Sequence, residues 1–130
     1  MSFLCKCGSG FNYDGCCGRY IDGADLAQTP EQLMRSRYTA YVLNNIPYIV
    51  RTMQGKALKR FALDHSDLNE LSLIWQKLEV INCSTQNNKG FVEFKAYYMD
   101  NQQSFILHEI SEFKRKSGQW FYVDGNILIG

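Results

Sequence analysis

No stretch of this chain approaches the roughly 20 apolar residues needed to cross a bilayer as a helix, and lysine and arginine form no run longer than the three residues Lys114-Arg115-Lys116. The first absence excludes a helical membrane span. The second, with a formal net charge of only +1, removes the electrostatic footprint expected of a protein that grips a nucleic-acid backbone or an anionic membrane surface. Internal repeats and low-complexity tracts are also missing, so neither a solenoid nor a biased tail is expected. The opening Met1-Ser2-Phe3-Leu4-Cys5 has no basic region followed by an apolar run for export, and the expected compartment is therefore reducing and cytoplasmic. With 45% apolar residues and two prolines, 130 residues suit one compact domain with a single core plus a short appendage.

Cysteine, by contrast, is concentrated. Four of the five lie in the first seventeen residues, as Cys5-Lys6-Cys7 and Cys16-Cys17, with Gly8-Ser9-Gly10 between the pairs. So short a segment cannot surround a hydrophobic core of its own and needs a staple. Two close thiol pairs across a Gly-rich bend can fold back so that four sulfurs meet a tetrahedral zinc ion at about 2.3 Å each. Disulfides, a redox pair and a metal-free segment are the alternatives, and a reducing compartment argues against the first. Adjacent Cys16 and Cys17 need a turn to aim at one ion, for which Gly15 and Gly18 are the candidates. Cys83 is left over in an apolar neighbourhood, where a buried, inert thiol is expected.

Residues 21–28, with Asp22-Gly23, read as a joint between a cysteine motif at 1–20 and a domain at 29–130. Thr29 followed by Pro30 and Gln32 is a capping box, and the helix it starts runs to about Asn45. On that helix Leu33, Met34, Tyr38, Ala40, Tyr41 and Val42 share a broad face, with Arg37 among them. Pro47 opens a second helix, residues 56–65 form a third, and Asp67 caps a brief helix to Leu71. The period then changes. Leu73 to Ile81, Phe91 to Met99, Phe105 to Phe113 and Trp120 to Val123 read as four strands, separated by Asn87-Asn88-Lys89-Gly90, Asp100-Asn101 and Ser117-Gly118. Three helices followed by an antiparallel meander define an α+β domain whose curved sheet wraps the helices.

Two charges lie on apolar faces. Arg37 must snorkel, pair with a carboxylate or meet a ligand anion, because an isolated buried charge is too costly. Glu109 alternates with Phe105, Leu107, Ser111 and Phe113 on the third strand, so it points inward. A direct Arg37–Glu109 pair satisfies both. That pair reads either as a structural salt bridge between helix and sheet or, with a buried glutamate, as part of a catalytic site. His108, on the opposite face, reads as a surface residue, with proton transfer the less expected role.

The string from Cys5 to Gly18 resembles the SEC-C motif, a zinc module also found at the C-terminus of the secretion ATPase SecA, where it docks the chaperone SecB. In that family the positions after the glycines are rich in lysine; here they hold Phe11, Asn12 and Asp14. Beyond it, Leu33-Met34-Arg35-Ser36-Arg37-Tyr38-Thr39-Ala40-Tyr41, Glu93-Phe94, Ala96-Tyr97-Tyr98, Glu109, Ser111, Phe113 and the Gly118-to-Gly125 segment with Trp120, Tyr122 and Asp124 resemble the YchJ family. That resemblance implies a cone similar to nuclear transport factor 2, a fold shared by enzymes such as ketosteroid isomerase and scytalone dehydratase and by many proteins that only bind or oligomerise. Three departures are visible. Met53-Gln54-Gly55 follows Thr52 where the family has a tryptophan or other residue and then His-Pro, Ile110 and Glu112 replace arginines around Ser111, and the chain stops after Ile129-Gly130 where many relatives carry a second SEC-C motif.

The expectation is a cytoplasmic accessory protein, a binding module in which Cys5, Cys7, Cys16 and Cys17 hold a structural zinc that presents a surface to a protein partner. Four sulfur ligands leave the metal no open position for water, which disfavours catalysis at the zinc. The competing expectation is a small-molecule binder or enzyme with Arg37, Tyr41, Trp75, Tyr97 and Glu109 around a pocket. A homodimer is a fold-level expectation only.

Overall fold

Thr29 starts the principal helix through its side-chain oxygen, which accepts from the Gln32 amide at 3.1 Å, with Pro30 in the first turn. Gln32 reciprocates one residue earlier than a standard capping box requires: its Oε1 accepts from the Gln28 amide at 2.7 Å. The computed structural model describes residues 3–64 and 73–128. The expected brief helix from Asp67 to Leu71 lies outside them.

A single 3-10 turn at Tyr13–Gly15 and a short helix α1 (Gly18–Ile21) follow the first cysteine pair. The capped helix α2 (Pro30–Val42) stops three residues short of the expected Asn45. Asn44 there adopts a left-handed φ of 57°, a conformation that closes helices. The Asn45 side chain then accepts from Tyr48 N at 3.1 Å and starts α3 (Ile46–Arg51), which leads to α4 (Gly55–Asp64).

Four antiparallel strands complete the chain in sequential order: β1 (Ile74–Gln86), β2 (Lys89–Asp100), β3 (Gln103–Lys116) and β4 (Gln119–Ile127). Positive φ at both Asn101 and Gln102, and at both Ser117 and Gly118, matches the tight hairpin turns that fit strand twist. β4 runs four residues beyond the expected Val123 because it stays paired with β3 as far as Glu109↔Ile127. The inner face of the sheet curves over α2, and α4 packs on β4.

Helix α2 is buried on more sides than its apolar stripe indicates, since Ser36 and Thr39 are both fully inaccessible. Ser36 shares a 2.7 Å hydrogen bond with Tyr48 Oη of α3, and Thr39 Oγ1 lies 3.7 Å from Cys5 Sγ. Neighbours therefore cover both flanks. Cys5, Cys7 and Cys17 join one continuous core with Leu33, Ile49, Val92 and Phe113.

Cys83 is exposed, contrary to the expected burial. It pairs with inward-facing Val92, yet β1 is the edge strand of the sheet, and the thiol meets Glu31 in the first turn of α2 at 3.5 Å. Partial desolvation and that carboxylate push the thiol up to about 11, which leaves it protonated and unreactive. His108 pairs across the outer face with Glu93 at 2.8 Å.

Candidate functional site

The cysteine hairpin begins with an isolated bridge between Leu4 and Asn12, reinforced by Cys5 N to Phe11 O at 2.9 Å. Gly8 has a φ of 83°, a left-handed value that lets the chain reverse directly after Cys7. Between the 3-10 turn and α1, Cys16 has φ −127° and ψ −113° while Cys17 is already helical. That junction, in place of flexibility at Gly15 or Gly18, splays the adjacent thiols toward one point.

All four sulfurs lie within 4.8 Å of one another, and Cys7 Sγ to Cys16 Sγ is 3.7 Å. Four sulfurs at about 2.3 Å from a central ion in a tetrahedron lie about 3.8 Å apart. The donor set therefore fits a tetrahedral, thiophilic divalent cation. A hydrogen bond from Cys17 draws the Cys7 thiol down to about 4, whereas Cys17 as the donor is pushed up and burial raises Cys16. Protons are thus held unevenly across the buried quartet. Full deprotonation of all four is the chemistry a bound divalent cation supplies. Hydroxyls line the cluster: Ser9 Oγ is 3.2 Å from Cys16 Sγ, and Thr39 Oγ1 approaches Cys5.

Arg35 ties this hairpin to α2 by donating to the Cys7 carbonyl at 2.9 Å while its Nε pairs with Glu31 at 2.9 Å. Arg51 of α3 donates to the Tyr20 and Ile21 carbonyls at 3.1 and 3.3 Å, satisfying the end of α1.

On the opposite side of α2 the sheet stands away from the helices and leaves a cavity of about 440 Å³ that is open to solvent. Its wall is largely aromatic. Trp75 lies 6.1 Å from Tyr38, 6.0 Å from Tyr41 and 5.1 Å from Tyr98, and Phe94 and Phe113 continue the lining. The polar groups gather at Glu109, whose Oε2 accepts from Ser111 Oγ at 2.6 Å and from Tyr122 Oη at 2.9 Å. Burial next to this carboxylate raises the Tyr122 phenol, which keeps it a donor.

A β-bulge makes the arrangement. β3 and β4 slip register between Glu112 and Phe113, so that Tyr122 faces Phe113 and Gly125 faces Ser111. Residues three apart on a regular strand point to opposite faces; here both Tyr122 and Gly125 line the cavity. Gly125 is required by close approach, because any Cβ there collides with Tyr122 Oη and with the Glu109 carboxylate. At the rim Arg60 donates to Asp124 at 2.6 Å and holds that carboxyl below its usual value.

Of the five residues expected around a pocket, Arg37, Tyr41, Trp75 and Glu109 line this cavity and Tyr97 does not. Tyr97 points outward and donates to Glu79 at 3.0 Å. Its neighbour Tyr98 occupies the inner face, in phase with buried Val92, Phe94 and Ala96. The direct Arg37–Glu109 pair does not form either. Arg37 donates to the Ile49 carbonyl at 2.8 Å and to Thr52 Oγ1 at 2.7 Å, and its guanidinium stacks 4.7 Å from the centre of the Tyr122 ring. Tyr122 thus stands between the two charges, touching one with its face and the other with its hydroxyl. Burial lowers the affinity of Arg37 for its proton. Sequence reasoning missed Tyr122, Ser111 and Gly125 as cavity residues, although all three lie within matched motifs. Met53, just before the Gln54-Gly55 that stand in place of the family's His-Pro, also lines the cavity.

An α+β cone of helices and curved sheet, carrying a four-cysteine hairpin at its N-terminal end, defines the class: a nuclear transport factor 2-like domain with an SEC-C type cluster. Residues 29–125 match the family model described as YchJ, middle NTF2-like domain, and the chain belongs to the YchJ family. It is 36% identical over 127 residues to a UPF0225 protein of Vibrio parahaemolyticus, covering 96% of this chain and 75% of that one. The solution structure of an SEC-C motif containing protein from Rhodopseudomonas palustris matches with a TM-score of 0.86 and 34% identity, over 96% of this chain and 98% of that chain. A crystal structure of an SEC-C motif containing protein from Psychrobacter arcticus matches with a TM-score of 0.73 and 28% identity, covering 97% and 83%.

Proposed function

We propose that the chain is a cytoplasmic binding protein in which a structural zinc ion clasps Cys5, Cys7, Cys16 and Cys17 onto one flank of α2, while the cone on the other flank holds a small organic molecule. The observation that carries this reading is the aromatic cavity of about 440 Å³ with its polar groups gathered at Glu109. Volume and lining are those of a ligand site. A buried charge pair filling the cone is the alternative for a purely structural core, and Arg37 is instead engaged by Ile49 and Thr52. Zinc is the metal the four thiolates suit best, and a closed set of four sulfurs leaves no site for substrate. A reducing compartment keeps those thiols available, and no helix among the described residues is long and apolar enough to cross a membrane.

A second reading, docking of a protein partner on the clasp, is favoured by one observation: Leu4 and Phe11 are 64% and 69% exposed beside the metal cluster. Both readings are compatible, because the two surfaces lie on different sides of α2.

Methyl NMR separates them. With ¹³C-methyl methionine, Met34 and Met53 report on the cavity, and Met99 on β2 lies outside it. Addition of small aromatic fragments is expected to shift the first two signals and leave Met99 in place. Absence of any shift at Met34 and Met53 across the fragment set contradicts the cavity reading.

A further inference from the structure

The polar end of the cavity specifies more than a small molecule, and this inference rests on the cavity reading above. We infer that the site selects an uncharged, flat aromatic molecule bearing one hydrogen-bond donor, a hydroxyl or ring N–H, which is received by the Glu109 carboxylate.

Three observations lead there. Both hydroxyl donors near Glu109, from Ser111 and Tyr122, converge on Oε2. No donor among the described residues reaches Oε1, on a side chain that lines the cavity. A carboxylate takes about four hydrogen bonds, so the group is an acceptor with capacity to spare and no donor of its own while ionised. A ligand hydroxyl or N–H complements it; a second acceptor does not.

Charge sets the next constraint. Among the described residues Glu109 is the acidic residue of the lining, opposed by Arg37 across the Tyr122 ring, while Arg60 at the rim is already paired with Asp124. The interior is therefore balanced. An ammonium or a carboxylate brought inside adds a charge without a counterion and must also shed its water. Arg37 meets an anion only through its Nε and Nη2 edge, since its Nη1 is spent on the Ile49 carbonyl and Thr52 and one flat face on Tyr122.

Shape supplies the last constraint. Trp75 with Tyr38, Tyr41 and Tyr98 forms a contiguous aromatic wall with centroid spacings of 5.1 to 6.1 Å from the indole. Rings at such spacings favour offset or edge-on contact with a further planar ring.

The test uses four naphthalenes of one size titrated into the full-length protein and followed at Met34 and Met53: 2-naphthol, 2-methoxynaphthalene, 2-naphthoate and 2-naphthylmethylammonium. Hydrogen bonds to a charged group are worth roughly 10- to 100-fold in binding. Accordingly 2-naphthol is expected to bind at least about tenfold tighter than each of the other three, and Glu109→Gln to shrink its lead over 2-methoxynaphthalene to less than about threefold. Equal affinities for the four, or a lead for the naphthoate or the ammonium, overturn the donor assignment and leave the cavity a general apolar site. A naphthol preference that survives Glu109→Gln overturns the role of Glu109. Silence at both methionines with all four probes overturns the inference and the cavity reading together, and because the comparison is made within the wild-type chain it stands even if the variant fails to fold.

Discussion

The two regions on either side of α2 are built from the same helix and could hardly be filled more differently. On the clasp side no space remains: Cys7 and Cys17 are 0% and 1% exposed, and Thr39 reaches the sulfurs directly. On the cone side Tyr38 and Tyr41 look across about 440 Å³ at the sheet. A cluster that must converge on a point is assembled by a hairpin of seventeen residues, so its partners are close in sequence. A cavity, by contrast, is assembled by strand register over half the chain. The comparison teaches that the clasp depends on which residues are present, and the cone on where a bulge falls.

The sharpest way to break the comparison is to open the clasp. Structural zinc contributes about 10–16 kcal/mol of apparent binding energy in small metal-folded peptides, so Cys17→Ser, or treatment with a strong chelator, is expected to cost several kcal/mol. In thermal denaturation that appears as a melting point lowered by roughly 10 °C or more. Retention of the wild-type melting point after complete metal removal contradicts the clasp as a stabilising element.

Next in size is Gly125→Ala, which drives a methyl group into Tyr122 and Glu109. Overpacking of this kind costs about 1–3 kcal/mol, and the effect should be confined to the cone, with metal stoichiometry unchanged by elemental analysis. Smaller again is Tyr122→Phe, which removes the hydrogen bond to Glu109 but leaves a ring under Arg37. A loss of about 1 kcal/mol in denaturant unfolding is expected. A loss approaching 4 kcal/mol would mean that the hydroxyl holds far more than one bond. Tyr97→Phe is the smallest: the residue lies outside the cavity, and stability is expected to stay within about 0.5 kcal/mol with fragment binding unaltered.

Much of this was legible in the residues themselves. The thiol quartet, the Thr29 cap and the alternation that turns Glu109 and Ser111 inward follow from spacing alone, and each is local. What could not be read was set by distant register. Nothing in the spacing of Arg37 and Glu109 announces that an aromatic ring from β4 will sit between them, because Tyr122 and Gly125 share a face only through the bulge near Val123. Tyr97 was a different kind of miss. Its own strand alternates Val92, Phe94, Ala96 and Tyr98 inward, so period-two reasoning already favoured Tyr98. Cys83 looked buried because its neighbours are apolar, but β1 is an edge strand of the sheet and the thiol stands beside the first turn of α2, against Glu31, without being covered by it.

X-ray absorption at the zinc edge of the purified, reduced protein tests the closed four-sulfur clasp most directly. One zinc per chain with four sulfur scatterers at about 2.3 Å and no oxygen or nitrogen neighbour is the predicted result. A shell containing water or another light-atom ligand, or a metal content far below one per chain, would contradict it.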